Sequence, residues 1–133
     1  MADDEDTDLR GEARYVFRAT VRIEPQVAGV SLDPATFETT VFRAADPPGE
    51  PGWRFFRDNL WHGELSDSDH FRDLTADALG VAVDSVSFSE LQTSEAYRAA
   101  LLDAVDAELD EYNATSATAV LSKYLGSSIR ITD

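Results

Sequence analysis

The stretch ARYVFRATVRIE, residues 13–24, decides the fold of this chain. Its apolar side chains alternate with polar ones, so that one face carries Tyr15, Phe17, Ala19, Val21 and Ile23. Strict alternation of this kind is typical of a β-strand that is buried on one face only. A sheet built around such a strand needs other elements to cover its apolar face, and helices are the usual cover in an α+β domain.

The first half of the chain supplies a second strand and two helices. Phe37, Thr39 and Val41 alternate with polar neighbours beyond a turn-rich stretch over 25–34, which predicts a strand antiparallel to the first. The prolines and glycines of 46–52 predict an exposed loop. Helical spacing of the apolar residues predicts a helix over 53–61. A second helix is predicted to begin at a capping box on Ser66 and to end at Gly80. Its apolar stripe consists of Phe71, Leu74, Ala78 and Leu79.

The second half predicts a strand over 81–91, two further helices and a short closing strand. Ser94 is predicted to cap a helix that runs to about Leu109, and Asn113 to cap another that ends at Gly126. Alternation at 129–131 predicts the last strand. The order β-β-α-α-β-α-α-β predicts an α+β fold, with a four-stranded, largely antiparallel sheet and helices packed on one face. We expect a disordered acidic tail over 1–11 and a single domain over 12–133.

The charge of the chain indicates adaptation to salt. There are 26 Asp and Glu residues against 11 Lys and Arg residues, Lys123 is the only lysine, and the formal net charge is -15. Self-repulsion of this size destabilises a compact state, but at molar salt the Debye length falls to about 3 Å and the repulsion is screened. An acidic disordered chain is disfavoured, because 43% of the residues are hydrophobic and they are periodic.

Composition also limits location and chemistry. The chain has no cysteine, which excludes disulfides, thiolate metal sites and cysteine nucleophiles. No secretion leader or membrane span is recognisable, so a cytoplasmic protein without membrane contact is expected. Nucleic acid binding is disfavoured, since affinity for phosphate falls steeply as salt rises. No cofactor is predicted.

One segment combines large aromatic side chains with arginines. Four rings fall within nine residues from Trp53 to Trp61, and these residue types are enriched at the centres of protein interfaces. Part of the segment is expected to belong to the core. The candidates for contact with a protein partner, or with a second copy in a homo-oligomer, are Trp53, Arg57, Asn59, Trp61 and His62.

Arg14, Arg18 and Arg22 recur on the polar face of the first predicted strand. Arginines on a sheet face can bind phosphate or carboxylate groups bidentately, so this face is a candidate anion-binding site. Combined with His62 or His70, the two residues able to act as bases near neutral pH, it could serve a small-molecule enzyme. The alternative is that the arginines pair with carboxylates on neighbouring strands, Glu38 among them.

Both histidines fall in one acidic segment, which makes it the candidate for a divalent-metal site. The candidate ligands are His62, Glu64, Asp67 and His70. Their spacing matches no known ligand signature, and Asp67 and Asp69 have another role as first-turn residues that offset a helix dipole. A metal site is therefore the less favoured interpretation.

The segment Arg57-Asp-Asn-Leu-Trp-His-Gly-Glu64, in this acidic and lysine-poor frame, resembles the LWR-salt proteins of haloarchaea. Leu60 and Trp61 match the Leu-Trp-Arg motif of that family, and His62 stands where the motif has arginine. The resemblance extends over most of the chain after the tail. It implies a haloarchaeal, intracellular setting, and it implies no known activity, cofactor or catalytic residue. The sequence therefore favours a non-catalytic interaction protein, although it does not decide whether the protein is an enzyme.

Overall fold

A computed structural model describes residues 9–132 of the chain. In chain order its elements are β1 (Ala13–Arg22), β2 (Thr36–Ala44), α1 (Phe55–Asn59), β3 (Leu60–Trp61), β4 (Glu64–Leu65), α2 (Ser68–Leu79), β5 (Ala82–Thr93), α3 (Glu95–Asp106), α4 (Leu109–Tyr112), α5 (Ala117–Leu125) and β6 (Ile129–Ile131).

The main sheet has four strands in the order β2-β1-β5-β6. Strand β1 pairs antiparallel with both β2 and β5, while β6 pairs parallel with β5. The predicted α+β fold with a four-stranded, largely antiparallel sheet is confirmed. Strand β1, whose alternating pattern predicted the fold, therefore lies in the interior of the sheet between β2 and β5.

The core lies on the face of the sheet that carries the alternating apolar residues of β1. Phe17 is fully buried and its ring packs against Phe71 of α2, with ring centroids 4.7 Å apart. The same cluster contains Tyr97, Leu101 and Val105 of α3 and buried residues of α5. The helices therefore cover one face of the sheet, as predicted, and Arg14, Arg18 and Arg22 lie on the other face.

The ends of the helices are only partly as predicted. Gly80 follows α2 at a φ of +75°, and the Ser94 hydroxyl accepts a hydrogen bond from the Tyr97 N–H at the start of α3. The cap of α2 is Asp67 rather than Ser66, and Ser116 rather than Asn113 caps α5. Asn113 instead ends α4 at a φ of +52°. Asparagine suits both roles, since its side chain can accept at a helix start and its backbone tolerates positive φ.

Two other expectations are corrected. The helix predicted over 53–61 is confined to α1, because the chain turns at Leu60 into the β3–β4 hairpin. In α2 the buried residues are Phe71 and Thr75, whereas Leu74 and Leu79 of the predicted apolar stripe remain exposed. Helical spacing identifies a common face, but the neighbouring elements decide how much of that face is covered.

Most of the predicted tail, residues 1–8, lies outside the described residues. Within the described part, Leu9 packs against the core and Arg10 forms an ion pair with Glu50 at 3.1 Å. Over residues 9–132, no helix combines the length and the apolar character needed to cross a membrane.

Candidate interaction site at the Trp61 hairpin

The aromatic segment continues from α1 into a tight hairpin. Leu60 pairs with Leu65 and Trp61 with Glu64, which leaves His62 and Gly63 as a two-residue turn. Both turn residues have positive φ, +53° and +80°. Two successive positive φ angles are the signature of a type I′ turn, whose twist matches that of paired strands.

The turn of this hairpin caps the end of α5. The N–H groups of His62 and Gly63 donate to the carbonyl oxygens of Lys123 and Tyr124, each at 2.9 Å. The last four carbonyls of a helix have no partner within the helix and must find one elsewhere. In α5 the remaining two accept from Gly126 and Ser128, so all four are satisfied.

This capping contact leaves little room for a side chain at residue 63. A Cβ added to Gly63 would lie 3.2 Å from the Leu125 carbonyl oxygen, in a conformation that already disfavours other residues. The contact with α5 and the positive φ angle therefore explain why residue 63 is a glycine.

Residues 60 and 61 have opposite environments. Leu60 is fully buried beside Phe56, whereas 48% of the Trp61 surface is exposed. The Trp61 ring rests edge-on against Tyr124, with centroids 5.7 Å apart, and against His62 at 4.6 Å. Two neighbouring rings thus support the indole, while about half of the residue remains exposed to solvent.

Beneath Trp61, a row of packed rings links the hairpin to the core. Tyr124 lies 5.7 Å from Phe56, and Phe56 in turn lies 6.5 Å from Tyr112 and 6.3 Å from Trp53. Trp53 is only 5% exposed, so this interaction candidate supports the surface from within. Sequence spacing alone did not separate the buried tryptophan from the exposed one.

The polar candidates are held by local contacts. Arg57 bonds to Asp58 at 3.1 Å, and the Asn59 side chain donates to the Phe55 carbonyl at 3.2 Å. Lys123, the only lysine of the chain, donates to the Tyr112 carbonyl at 3.3 Å. Trp61, His62, Asn59 and Lys123 therefore share one region built from α1, the hairpin and the end of α5.

Next to this region, Arg54 binds Glu108 through two hydrogen bonds and covers the Trp53 ring at 4.5 Å. The hydrogen bond from Arg54 to Glu108 is the main cause of its raised pKa. Burial raises the pKa of Tyr112, and the neighbouring Arg54 opposes this shift. The pairing of Arg54 with Glu108 could not be predicted from the sequence, because the two residues are 54 positions apart.

The candidate metal ligands are not brought together. His62 and Glu64 belong to the hairpin, while Asp67 accepts the His70 N–H at 3.1 Å as the cap of α2. Within residues 9–132, no three histidine or acidic side chains converge as a metal site would require. Asp67 thus has the helix-start role that the sequence offered as its alternative.

The three arginines of β1 have different partners. Arg22 binds Asp84 bidentately at 2.7 and 3.1 Å, Arg18 lies 3.9 Å from Glu38, and Arg14 donates to Gln92 at 2.9 Å. Hydrogen bonding to Arg22 holds the pKa of Asp84 below its usual value.

Asp84 lies at one of the two points where the register between β1 and β5 shifts. The alternation of residues in the sequence does not reveal where such a shift occurs. Farther along the same face, the carboxylate of Glu90 accepts hydrogen bonds from Gln92 at 2.6 Å and from Arg130 at 2.8 Å. Mainly because of the Gln92 bond, the pKa of Glu90 is lowered.

The family model described as LWR-salt protein matches residues 11–133. The match covers nearly the whole chain, so the chain belongs to this family, and the resemblance seen in the sequence is confirmed. Neither the curated proteins nor the solved structures contain a significant match to the chain.

Proposed function

We propose that this LWR-salt protein is a non-catalytic interaction protein, which binds a protein partner through the surface around Trp61. The observation that carries the proposal is a tryptophan with 48% of its surface exposed, on a hairpin whose backbone is fixed to the core. Tryptophan is among the residues that contribute most to binding when an interface buries them.

The hairpin gives this side chain a fixed position before binding. Its turn is bonded to α5, its Leu60 is buried, and its indole rests on Tyr124. A side chain that is already ordered loses less conformational entropy when a partner binds it, which favours affinity. His62 lies against the indole and supplies a polar group beside it, as the rim of an interface requires.

The rival function is a small-molecule enzyme or anion binder that uses Arg14, Arg18 and Arg22 with His62 or His70. It has weaker support, because Arg22 is held by Asp84 and Arg14 by Gln92. The histidines lie at the hairpin turn and in the first turn of α2, on elements other than the arginine strand. The interaction function needs no such convergence.

We further propose that the protein works in a cytoplasm of high salt. Support comes from the net charge of -15 and from the single lysine. In such a medium electrostatic attraction is screened beyond about 3 Å, so an apolar anchor such as Trp61 is a better basis for recognition than long-range charge.

The test compares Trp61→Ala with Leu32→Ala, which removes a large side chain of similar exposure, 44%, from the loop between β1 and β2. Each tagged variant is expressed in a haloarchaeal host, and stably bound proteins are identified by mass spectrometry in molar KCl. We expect Trp61→Ala to lose a partner that the wild type and Leu32→Ala retain. Circular dichroism checks that each variant is folded, and an unchanged partner set in folded Trp61→Ala would refute the proposal.

A further inference from the structure

Strand β2 forms an open edge of the sheet. It pairs only with β1, and the strand order places nothing beyond it. Seven of its nine residues are exposed, so no part of residues 9–132 covers it. An open edge presents unpaired N–H and C=O groups, to which another strand can bond.

The register shows which backbone groups of β2 face outward. Ile23 donates to the Ala35 carbonyl at 2.9 Å, and Ala45 donates to the Ala13 carbonyl at 3.1 Å. Hydrogen-bonded pairs alternate along an antiparallel ladder, so the odd-numbered residues of β2 bond to β1. The even-numbered residues from Thr36 to Ala44 therefore direct their N–H and C=O groups to the free edge.

This edge lacks the features by which proteins prevent strand pairing. Edge strands are usually protected by lysine, proline, a bulge or short length. β2 is nine residues long, contains neither lysine nor proline, and pairs with β1 without a register shift. Its only charges are Glu38 and Arg43, so the strand is neutral in a chain with a net charge of -15.

The edge is also flanked by apolar surface. Phe37 and Phe42 are each 49% exposed, on opposite faces of the strand. On the core face, β2 and α2 form a groove whose lining includes Val41, Arg43, Leu74, Ala78 and Leu79. An exposed aromatic side chain and an apolar groove thus lie on the same face of one strand.

We propose that β2 binds β2 of a second copy of this chain in antiparallel register, with Thr40 facing Thr40 across a two-fold axis. The two sheets then form one continuous eight-stranded sheet. This interface is separate from the Trp61 surface, so it extends the proposed function and does not depend on it.

On the core face, this register brings unlike groups together. Residue 37 of one copy faces residue 43 of the other, so the exposed Phe37 ring meets the guanidinium of Arg43 beside the groove. Within its own chain Arg43 lies over the Phe55 ring at 4.9 Å, and it forms no ion pair among the described residues. The second Phe37 therefore offers it another aromatic contact, and the two-fold axis repeats this contact.

On the outer face, the same register places Glu38 of one copy opposite Phe42 of the other. Arg14 lies over that Phe42 ring at 3.9 Å and has an amide, Gln92, as its side-chain partner. Glu38 is largely exposed, and its ion pair with Arg18 is a loose one, with a nitrogen–oxygen distance of 3.9 Å. Pairing therefore brings the carboxylate of Glu38 from one copy near Arg14 of the other, which has no acidic partner in its own chain among the described residues. This charge complementarity favours a second copy as the occupant of the edge.

The first test uses the absence of cysteine in this chain. Thr40→Cys and Glu38→Cys each introduce one exposed thiol on the same face of β2. In the proposed dimer the Thr40 Cα atoms are about 5.5 Å apart, within reach of a disulfide, whereas the Glu38 Cα atoms are about 14 Å apart. Under mild oxidation in molar KCl, Thr40→Cys should form a covalent dimer at least tenfold faster than Glu38→Cys. Equal rates, or no dimer from Thr40→Cys, would overturn the proposal.

The second test measures molar mass by light scattering over a range of concentrations in molar KCl. The wild type should reach twice the 14.6 kDa of one chain. Thr40→Pro should remain at one chain, because proline removes an N–H that faces the free edge and leaves the bonds to β1 in place. Thr40→Val, which keeps the N–H, should remain dimeric.

Trp61→Ala should also remain dimeric, which distinguishes this interface from the Trp61 surface. A monomeric wild type at every concentration, or a dimeric Thr40→Pro, would exclude the β2 interface. A monomeric Trp61→Ala would assign self-association to the hairpin instead and would likewise overturn the proposal. If Thr40→Pro proves unfolded by circular dichroism, the two cysteine variants decide the question.

Discussion

The Trp61 hairpin and the β2 edge expose aromatic side chains to nearly the same extent, 48% for Trp61 and 49% for Phe37 and Phe42. They differ in their backbones. The hairpin turn uses its N–H groups to cap α5, while along β2 alternate residues direct theirs to an edge that no described element covers. The hairpin therefore offers a single side chain as an anchor, and β2 offers a whole strand for pairing. Exposure alone does not distinguish these two kinds of surface.

The largest effect that separates the two regions should come from salt. Residues 9–72, which include β2, hold ten acids and eight arginines, whereas residues 73–133, which include α3 and α5, hold eleven acids and three bases. Lowering KCl from molar to about 0.05 M lengthens the Debye length from about 3 Å to more than 10 Å, which restores repulsion mainly among the helices.

We expect the melting temperature to fall over that range by more than the few degrees that a change of about 1 kcal/mol produces. Thermal unfolding measures the fall, and amide hydrogen exchange should show earlier loss of protection in α3 and α5 than in β1. A melting temperature that is flat with salt would contradict both halophilic adaptation and this difference between the regions.

The next effect concerns the backbone support of the hairpin. Gly63→Ala should lower the free energy of unfolding by about 2–4 kcal/mol, because it combines positive φ with a Cβ at 3.2 Å from the Leu125 carbonyl oxygen. Gly80→Ala is the matched control, since Gly80 has a similar φ of +75° but nothing within 4 Å of the added Cβ.

For Gly80→Ala we expect a loss of about 1 kcal/mol, which reflects the backbone conformation alone. Urea unfolding in molar KCl gives both values. Equal losses would mean that the contact between the hairpin and α5 does not constrain residue 63.

The smallest effect concerns the end of β2 that is fixed to the core. The Tyr97 hydroxyl donates to the Asp46 carbonyl at 2.6 Å and so ties the segment after β2 to α3. Tyr97→Phe should lower the free energy of unfolding by about 1–2 kcal/mol near neutral pH, since it leaves a carbonyl without its partner.

Burial, and then the nearby Asp46, raises the pKa of Tyr97 above its usual 10.0. The protonated hydroxyl therefore contributes stability fully below about pH 10, and this contribution is lost as pH rises towards the folded pKa. Stability of Tyr97→Phe should consequently fall less steeply above pH 10 than that of the wild type, as urea unfolding at several pH values would show. Parallel curves would contradict this role of Tyr97.

Much of the fold could be predicted because it depends on local chemistry. Alternation identified β1 and its buried face, and Gly80, Ser94 and Gly126 marked ends of helices through backbone freedom and side-chain capping. The hairpin at Leu60–Leu65 was missed, because its four strand residues form too short a pattern to separate from the helix before it. Its turn is stabilised by α5, which lies some sixty residues farther along the chain.

The candidate site shows the same division. The sequence identified Trp61 and His62 as candidates from residue types alone, but Trp53 has the same side chain and is buried. Likewise Leu74 and Leu79 fit a buried stripe by spacing and instead border an open groove. Which apolar residues remain exposed depends on the elements that pack against them.

By itself the sequence determined the composition of the sheet, the apolar face of β1, the strong negative charge and the absence of thiol chemistry. Each of these depends on side-chain type or on a periodicity of a few residues. Only the tertiary structure decided that Trp61 is exposed, that the hairpin caps α5 and that β2 ends the sheet with an open edge. These depend on contacts between residues far apart in the chain, which local periodicity does not encode.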